Sequence, residues 1–507
     1  MSFQSLKNPK KLLTTAALLA GLALLLSWVS SQFRSLQDWP SFLITLTLGY
    51  GLLLAGWRML RAEDPPKWLW WLLIGGALLR LALGVFWLVS LPAWGYDTPV
   101  QQAGYVMEDA FNRDEAAWTL SQSEGSLVEA FRGYSGRDQY GGLLFFSAAL
   151  YRLTSADAHQ PLLILIITAA FSALAVSFTW AFVKRIWGQR TAKLAAWALA
   201  LYPEALLLGS SQMREAFGVA LIAGSLYALL WFAGKRDWAA FAWLCLGPVM
   251  AFPLSPPFAF ALVVLLGLVA LPAFEWKFFS SPKIWVPAAL ITLAGVLIFF
   301  FQNGQWLVEA AGWQAYISRN ASGWVARQFD KMPLWAQVPF LLTYGVFRPL
   351  LPAAVFADGA LIWRGIAVWR ALGWTLLLAM LIYASYLVIR TKSWFKLPGM
   401  LLLVTWGYTL ISSYRGGGDL WDNPRYRSAF AGVQIALAAW AWVQQQETKD
   451  PWLRRAIVGA GLMSVWWAPW YLRRYATFEW PIVEIQHVIG LGLASLVLYI
   501  IWDWVSA

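Results

Sequence analysis

The chain has 507 residues, of which 60% are hydrophobic and only 13% are charged, and its mean hydropathy is +0.57. A soluble domain carries about twice that charged fraction, so the composition excludes an ordinary soluble globular protein. The net charge of +12 does not predict nucleic-acid binding, because the lysines and arginines cluster in short loops between apolar runs, as is typical of membrane proteins.

Apolar runs long enough to cross a bilayer, about 20 residues each, recur along the whole chain. They predict an all-α fold: a polytopic transmembrane helical bundle of about 12–14 spans with outer-face loops and short interfacial helices, all in one transmembrane domain. The proline-rich segment 252–257 either joins two spans by a tight turn or breaks one re-entrant element. The predicted spans are 12–31, 41–57, 68–92, 161–183, 194–211, 215–233, 238–252, 256–273, 284–301, 367–389, 398–414, 427–444, 456–472 and 484–503.

Basic loops orient the bundle, because positive loops favour the cytoplasmic side. Three lysines before the first span place the N-terminus in the cytoplasm, and we predict a multi-pass protein of the plasma membrane. The last basic cluster, at residues 390–396, lies on the cytoplasmic side only if the apolar stretch 334–355 does not cross the membrane fully. Loop 302–366 then stays on the outer side. The basic residues are Lys7, Lys10, Lys11, Arg58, Arg61, Lys67, Lys184, Arg185, Arg190, Lys193, Lys235, Arg236, Lys277, Lys283, Arg390, Lys392 and Lys396.

The first long outer loop, residues 93–160, reverses the charge of the chain. Between residues 96 and 140, eight acids stand against three arginines. Carboxylates at a membrane surface can act as a general base, or as ligands of a divalent cation that neutralises a phosphate. This loop is therefore the candidate catalytic loop, and Asp97, Asp109 and Asp114 are its candidate catalytic residues.

Two acids of this loop could instead have a purely structural role. The segment Gly104–Trp118 predicts an amphipathic helix, on which Asp109 could pair with Arg113 four residues later. Asp138 stands just before an apolar stretch, where it either caps a helix or contacts a substrate.

Charged residues also occur next to or within later spans. Arg214 and Glu215 lie in a hairpin between two apolar runs, after the motif Tyr202-Pro203-Glu204. Arg80 stands in the middle of a span, where it pairs with an acid or reaches toward the interface. Ionisable groups near membrane depth are costly to bury, so they are usually paired or functional.

A glycine-rich motif, Arg415–Arg427, precedes a late span. Its glycines would let backbone amides approach an anion, and its arginines suit a phosphate, although a flexible turn with interfacial arginines is the alternative. Arg425 and Arg427 therefore join Asp138, Arg214 and Glu215 as candidate substrate-binding residues. Loop 302–366 is the candidate substrate or acceptor loop.

The sequence assigns no metal site and no certain cofactor. His159 and His487 are too far apart to predict a metal centre, and a divalent cation stays an open option. A phosphate-binding loop of the G-x-x-x-x-G-K-[ST] type is absent, which argues against a nucleotide-driven pump, and so is a G-x-S-x-G nucleophile motif.

In their order along the chain, three of these motifs resemble the GT-C superfamily of polytopic membrane glycosyltransferases, which includes protein mannosyltransferases and aminoarabinose lipid A transferases. The three are the acidic loop with Asp109 and Asp114, the hairpin from Tyr202 to Glu215, and the element Asn423–Arg427.

The resemblance implies transfer of a sugar from a polyprenyl-phosphate carrier to an acceptor on the outer side of the membrane. It implies Asp109 or Asp114 as the base and Arg425 or Arg427 on the lipid phosphate. In the family the key aspartate stands closer to the preceding span, which makes Asp97 a competitor. The implied partners are the lipid-linked donor, membrane lipids and a lipid, glycan or protein acceptor; the short second loop favours a lipid or glycan.

Two other classes of function fit a polytopic chain. An O-antigen ligase or polysaccharide polymerase would rely on arginines and a histidine in a large late loop, and loop 302–366 has arginines but no histidine. A lipid or solute transporter would carry charges along the bundle centre and an inverted repeat, and neither is evident.

Overall fold

The computed structural model is all-α: no strand occurs in the part of the chain that it describes. The prediction of an all-α fold is therefore confirmed. The structure describes residues 9–132, 138–154, 158–274, 323–349, 359–416, 423–475, 479–482 and 484–506.

Eighteen α-helices follow one another in these ranges. Three 3-10 segments, Leu60–Glu63, Leu127–Phe131 and Asn423–Phe430, lie between them. The helices are α1 Pro9–Ser30, α2 Trp39–Met59, α3 Lys67–Trp94, α4 Pro99–Gln102, α5 Glu108–Gln122, α6 Gly142–Thr154, α7 Pro161–Leu201, α8 Pro203–Gly209, α9 Arg214–Lys235, α10 Trp238–Leu254, α11 Pro256–Ala273, α12 Gly323–Phe329, α13 Leu334–Phe347, α14 Leu361–Arg390, α15 Leu397–Arg415, α16 Ala431–Thr448, α17 Trp452–Tyr475 and α18 Ile485–Ser506.

Eight of the described helices are long and apolar enough to cross a membrane: α1, α2, α3, α7, α9, α11, α14 and α18. The chain is therefore a multi-pass membrane protein. The remaining predicted spans lie on helices that are shorter or more polar. The span predicted at 238–252 is the 17-residue α10, and those predicted at 398–414, 427–444 and 456–472 are α15, α16 and α17. The span predicted at 284–301 lies outside the described residues.

Helix α7 lies at the centre of the bundle, and α2, α3, α9 and α16 pack against it. It is interrupted at Gly188, whose φ of 82° and ψ of −179° are not helical. A Cβ added at Gly432 would lie 2.9 Å from Thr179 Oγ1 and 3.9 Å from Leu199 Cδ2. Residues 179 and 199 of one straight helix would be about 30 Å apart, so the chain reverses direction at Gly188. The spans predicted at 161–183 and 194–211 are the two arms of this reversal, the second continuing into α8.

Small residues bring α2 and α3 close to α7. A Cβ at Gly56 would meet Leu174 Cδ2 at 2.3 Å, and one at Gly84 would meet Leu165 Cδ2 at 1.9 Å. Close packing of this kind is a main source of helix association in lipid, where the hydrophobic effect between helices is absent.

The proline-rich segment 252–257 separates two helices, α10 and α11, at the extended residue Ser255. The Ser255 side chain accepts from the Phe258 amide at 3.4 Å and caps α11. The turn packs on the start of α6, where a Cβ at Gly142 would lie 2.1 Å from the Pro253 carbonyl oxygen. The segment is thus a turn between two helices.

Helix α13 covers the start of the apolar stretch 334–355. Its 14 residues reach only about 21 Å, which is less than the ~30 Å hydrocarbon layer. It packs against α15 instead.

Arg80 is fully buried in α3. Its Nε donates to Ser172 Oγ at 3.0 Å and its Nη1 to the Gly76 carbonyl at 2.9 Å. It therefore neither pairs with an acid of the described chain nor reaches the interface, but ties α3 to α7.

The bundle has one acidic and one basic end. The acidic end carries loop 93–160. At the basic end Arg185 Nε donates to Glu63 Oε1 at 2.7 Å, and Lys184 Nζ lies 3.9 Å from Glu63 Oε2. These two ends lie at opposite ends of the first arm of α7, because loop 93–160 leads into its start and Lys184 and Arg185 lie near Gly188.

Candidate functional site

Segments that are distant in sequence meet at the acidic end. They are helix α5, the residues just before α6, the turn between α8 and α9 with the start of α9, and the 3-10 segment Asn423–Phe430. We call the six charged residues that they bring together the charged cluster. It consists of Asp109, Arg113, Asp138, Arg214, Glu215 and Arg425.

Asp109 and Arg425 form the most exposed contact of the charged cluster. Asp109 lies in the first turn of α5, where the helix dipole favours a carboxylate. Its Oδ2 accepts a hydrogen bond from Arg425 Nη2. The Asp109 side chain is 52% exposed and that of Arg425 only 4%. In this pair, an accessible carboxylate is therefore in contact with a buried guanidinium.

Glu215 lies on the other side of Arg425, with 3.8 Å between its Oε1 and Arg425 Nε. It occupies the first turn of α9 and its side chain is 11% exposed. Its Oε2 is buried and has no hydrogen-bond partner among the described residues. A buried carboxylate oxygen is costly without a donor, so this oxygen marks a place where a ligand hydroxyl could donate.

Asp138 caps α6 and also contacts an arginine, while its predicted contact with a substrate stays a prediction. Its Oδ2 accepts from the Leu144 amide at 3.2 Å in the first turn of α6. Its Oδ1 lies 3.7 Å from Arg214 Nη1, and the Arg214 guanidinium lies 5.1 Å from the centre of the Tyr140 ring. Asp138 thus joins α6 to the start of α9.

Arg113 was not predicted as a site residue, only as a surface partner of Asp109. The structure buries it, and its Nη2 donates to the Gln212 carbonyl, just before Arg214. Burial lowers the pKa of Arg113, and the carboxylate of Asp138 opposes that effect. The contact holds α5 against the turn that carries Arg214 and Glu215.

Asp114 lies in a different environment from Asp109. It is 1% exposed, and its carboxylate accepts from Tyr105 at 2.5 Å and Tyr151 at 3.0 Å. His159 Nε2 lies 3.0 Å from Asp114 Oδ2, and His159 Nδ1 lies 3.3 Å from Glu115 Oε1. We call this group the Asp114 cluster. It joins α5 to α6 and to the start of α7.

Arg425 and Arg427 lie on opposite sides of one 3-10 segment, because residues two apart are about 240° apart at three residues per turn. Arg427 Nη1 donates to the Gly345 carbonyl at 3.0 Å and Nη2 to the Arg348 carbonyl at 2.5 Å. Its guanidinium lies 3.5 Å from the centre of the Trp374 ring. The two predicted phosphate-binding arginines therefore face different partners.

Asp97 lies in the exposed turn after α3. Its side chain contacts no member of the charged cluster within the described ranges. Of the three candidate catalytic aspartates, only Asp109 is thus in the cluster.

A buried ion pair near Arg427 was also missed. Arg370 Nε and Nη2 donate to the two oxygens of Glu204 at 2.7 Å and 2.8 Å. One signal is present in the sequence, the motif Tyr202-Pro203-Glu204 before the hairpin, but it does not indicate Arg370 as the partner of Glu204.

Each carboxylate of the charged cluster lies against an arginine. Asp109 and Glu215 lie against Arg425, and Asp138 lies against Arg214. Nowhere in the described residues do three or more His, Cys, Asp or Glu side chains come together in a way that could hold a metal ion.

No protein-family model matches the sequence, and no curated protein matches it significantly. Solved structures similar to it include two archaeal oligosaccharyltransferase structures. One is the archaeal oligosaccharyltransferase AglB from Archaeoglobus fulgidus in complex with an inhibitory peptide and a dolichol-phosphate, with 15% identity, a TM-score of 0.39 and coverage of 85% of this chain and 54% of that chain. The other is an A. fulgidus oligosaccharyltransferase in the apo form, with 15% identity, a TM-score of 0.38 and coverage of 85% and 55%.

The chain thus spans about half the length of these oligosaccharyltransferases. The likeness is one of overall helical architecture, and it assigns no role to any residue.

Proposed function

We propose that the chain is a membrane glycosyltransferase, which moves a sugar from a polyprenyl-phosphate carrier to an acceptor on the outer side of the plasma membrane. The observation that carries the proposal is the Asp109–Arg425 contact. It sets an accessible carboxylate beside a buried cation at one end of a membrane-embedded bundle.

The reaction needs a base for the acceptor and positive charge for the leaving group, close to each other. The acceptor hydroxyl oxygen attacks the anomeric carbon, and the bond between that carbon and the phosphate oxygen breaks. The phosphate leaves with the electron pair, and the hydroxyl proton passes to Asp109. Arg425 of the segment Asn423–Phe430 lies next to this base and would stabilise the developing phosphate charge.

Asp109 is the best base among the first-loop acids on geometric grounds. Asp114 is enclosed by its cluster, and its oxygens are taken by tyrosine and histidine donors. Asp97 is exposed, and within the described residues its side chain contacts no arginine of the charged cluster. Glu215, one of whose oxygens has no donor among the described residues, would accept from a sugar or acceptor hydroxyl.

The experiment uses purified protein reconstituted with a labelled polyprenyl-phosphate sugar and a membrane extract as acceptor. Release of the lipid phosphate is followed for wild type, Asp109→Asn and Asp97→Asn. Loss of a general base reduces turnover about 10²–10⁴-fold, and we expect this for Asp109→Asn alone. Glu124→Gln is the matched control, because Glu124 is an exposed acid of the same loop.

Unchanged turnover in Asp109→Asn would exclude Asp109 as the base, and a loss confined to Asp97→Asn would assign that role to Asp97. If wild type releases no phosphate with several sugars and with acceptor shown to be present, the ligase and transporter alternatives replace this proposal.

A further inference from the structure

The turn that follows α3 presents aromatic rings and a carboxylate at the acidic end of the bundle. Trp94 is 63% exposed and Tyr96 is 45% exposed. Asp97, the next residue, is exposed as well. We call these three residues the Tyr96 platform. The proposed reaction gives none of them a role so far.

The turn is held firmly although its side chains are exposed. The side-chain oxygen of Gln101, Oε1, accepts from the Tyr96 amide at 2.5 Å and from the Trp363 indole at 2.9 Å. Gly95 leaves space for this oxygen, because a Cβ at Gly95 would lie 2.3 Å from it. The Thr98 amide donates to the Tyr96 carbonyl at 2.8 Å. A surface that is fixed before binding loses less entropy when a ligand arrives.

The ring of Tyr96 is supported by a second ring. Trp363, at the start of α14, lies nearly parallel to it, with 6.4 Å between the ring centres and 16° between the planes. The Tyr96 hydroxyl lies close to Gly359, where an added Cβ would be 2.6 Å from it. Because Tyr96 is still 45% exposed, part of this supported ring remains open to a ligand.

The Tyr96 platform adjoins the charged cluster. Trp363 packs against an apolar cluster that contains Met107 and Ala110, which stand on either side of Asp109 in the chain. Arg425 Nη1 lies 4.0 Å from Met107 Sδ. The same apolar cluster therefore lies under both the platform and the Asp109–Arg425 contact.

A neutral sugar ring matches this surface chemically. The C–H groups on the face of a sugar ring carry a small positive charge and the face of an aromatic ring is negative, so the two stack. Sugar hydroxyls donate to a carboxylate in charge-assisted hydrogen bonds. A phosphate or an acidic sugar would instead be repelled by Asp97, and the turn 94–99 carries no basic residue.

We propose that the Tyr96 platform binds a neutral sugar ring of the acceptor, which stacks on Tyr96 and donates to Asp97. The acceptor is then a glycan, and Asp97 holds it while Asp109 takes its proton. The choice of the acceptor as the source of the sugar rests on the proposed function, because the donor phosphate lies at Arg425 in that reaction. Sugar binding itself does not depend on it.

Binding is measured without turnover, by saturation-transfer difference NMR on the purified full chain in lipid nanodiscs. The probes are the methyl glycosides of glucose, galactose, mannose and N-acetylglucosamine, with glycerol as a polyol that has no ring. In wild type, saturation should reach the ring C–H protons of at least one glycoside and not glycerol. Tyr96→Leu should weaken binding of that glycoside about fivefold, the loss of one stacked ring, and Asp97→Asn should weaken it by a similar factor.

Tyr96→Phe keeps the ring and should bind within about twofold of wild type, which separates stacking from damage to the fold. Trp238→Leu is the matched control and should bind as wild type. Trp238 is 81% exposed and follows α9, at the end of that helix away from Arg214. Asp97→Asn keeps the test decisive if Tyr96→Leu does not fold.

Unchanged binding in Tyr96→Leu and Asp97→Asn would overturn the platform. So would the absence of a ring signal from every glycoside in wild type, which would leave Trp94 and Tyr96 as aromatic residues of the membrane interface. A loss of binding in Trp238→Leu as large as that in Tyr96→Leu would place the sugar elsewhere.

The assignment to the acceptor has its own readout. When transfer to a neutral glycan is measured, Tyr96→Leu should raise the KM for the glycan about fivefold and leave the KM for the lipid-linked donor unchanged. A rise in the KM for the donor alone would give the sugar to the donor instead. Because the NMR experiment needs no turnover, a failure of the transferase proposal would not change its outcome.

Discussion

Asp109 and Asp114 show how far the surroundings of one residue decide its role. They are five residues apart on the same helix. Asp109 is half-exposed and contacts an arginine, whereas Asp114 is enclosed by tyrosines and a histidine. Helical spacing places them on different faces but cannot say which face is enclosed. Asp114 is enclosed partly by Tyr151 and His159, which are 37 and 45 positions away along the chain. The sequence therefore predicts a catalytic loop but cannot separate the surroundings of its aspartates.

His159 gives the Asp114 cluster a pH dependence. Its pKa is raised overall, because its contacts with Asp114 and Glu115 outweigh the burial that would lower it. A raised pKa in the folded state means that its stabilising effect is full below the unfolded value of about 6.5 and is lost as the pH rises through the folded value.

We therefore expect His159→Gln to lower the free energy of unfolding by about 1–2 kcal/mol near pH 6 and by less near pH 9, because the charged imidazolium donates to both acids whereas the neutral imidazole has one N–H to donate. The measurement is the thermal midpoint of both proteins across this pH range. Tyr140→Phe is the control, because Tyr140 contacts Arg214 rather than this cluster. A difference between wild type and His159→Gln that is the same at both pH values would contradict the expectation.

At the scale of the helices, the apolar pattern located most of them, and close contacts decided how they pack. The predicted spans at 12–31, 68–92 and 256–273 agree with α1, α3 and α11 within a few residues. The reversal at Gly188 was not predicted, because an isolated glycine between polar residues does not reveal its φ. Nor does the sequence show that α6 starts directly against the turn at Pro253.

Gly142 tests this last contact. A Cβ there would overlap the Pro253 carbonyl, and since that atom is backbone it cannot move aside cheaply. We expect Gly142→Ala to lower the free energy of unfolding by about 1–3 kcal/mol through overpacking. It should also shift α6, and with it the Asp138–Arg214 contact.

The matched control is Gly75→Ala, because a Cβ at Gly75 has nothing within 4 Å. This change should be neutral or stabilise α3 by up to about 1 kcal/mol, since alanine is the better helix former. Thermal unfolding in detergent compares the two proteins. Equal midpoints would show that α6 does not pack on the turn as described.

At the scale of the whole molecule, composition was enough to predict a helical membrane bundle but not how many helices cross. The sequence predicted about 12–14 spans, and eight described helices meet the length and apolarity of a span. Of the six other predicted spans, 194–211 is the second arm of α7 with α8, 284–301 lies outside the described residues, and four lie on α10, α15, α16 and α17. Helix α17 carries Arg455, whose Nη2 lies 2.6 Å from Asp503 of α18.

The orientation of the bundle is a prediction that is open to a direct test. The acidic end holds loop 93–160 and the basic end holds Lys184, Arg185 and Arg190, so from the positive-inside rule we expect the basic end to lie in the cytoplasm. The chain has one cysteine, Cys245, so Cys245→Ala gives a background for single-cysteine labelling. Glu124 at the acidic end and Arg190 at the basic end are both exposed.

In intact cells, a membrane-impermeant maleimide should label the Glu124→Cys protein and leave the Arg190→Cys protein unlabelled until the membrane is opened. The Cys245→Ala protein without an added cysteine reports the background in both conditions. The reverse pattern would turn the bundle over and place Asp109 and the rest of the charged cluster on the cytoplasmic side. A sugar donor for this site would then have to be available in the inner leaflet, and the acceptor would be one that is modified before it leaves the cell.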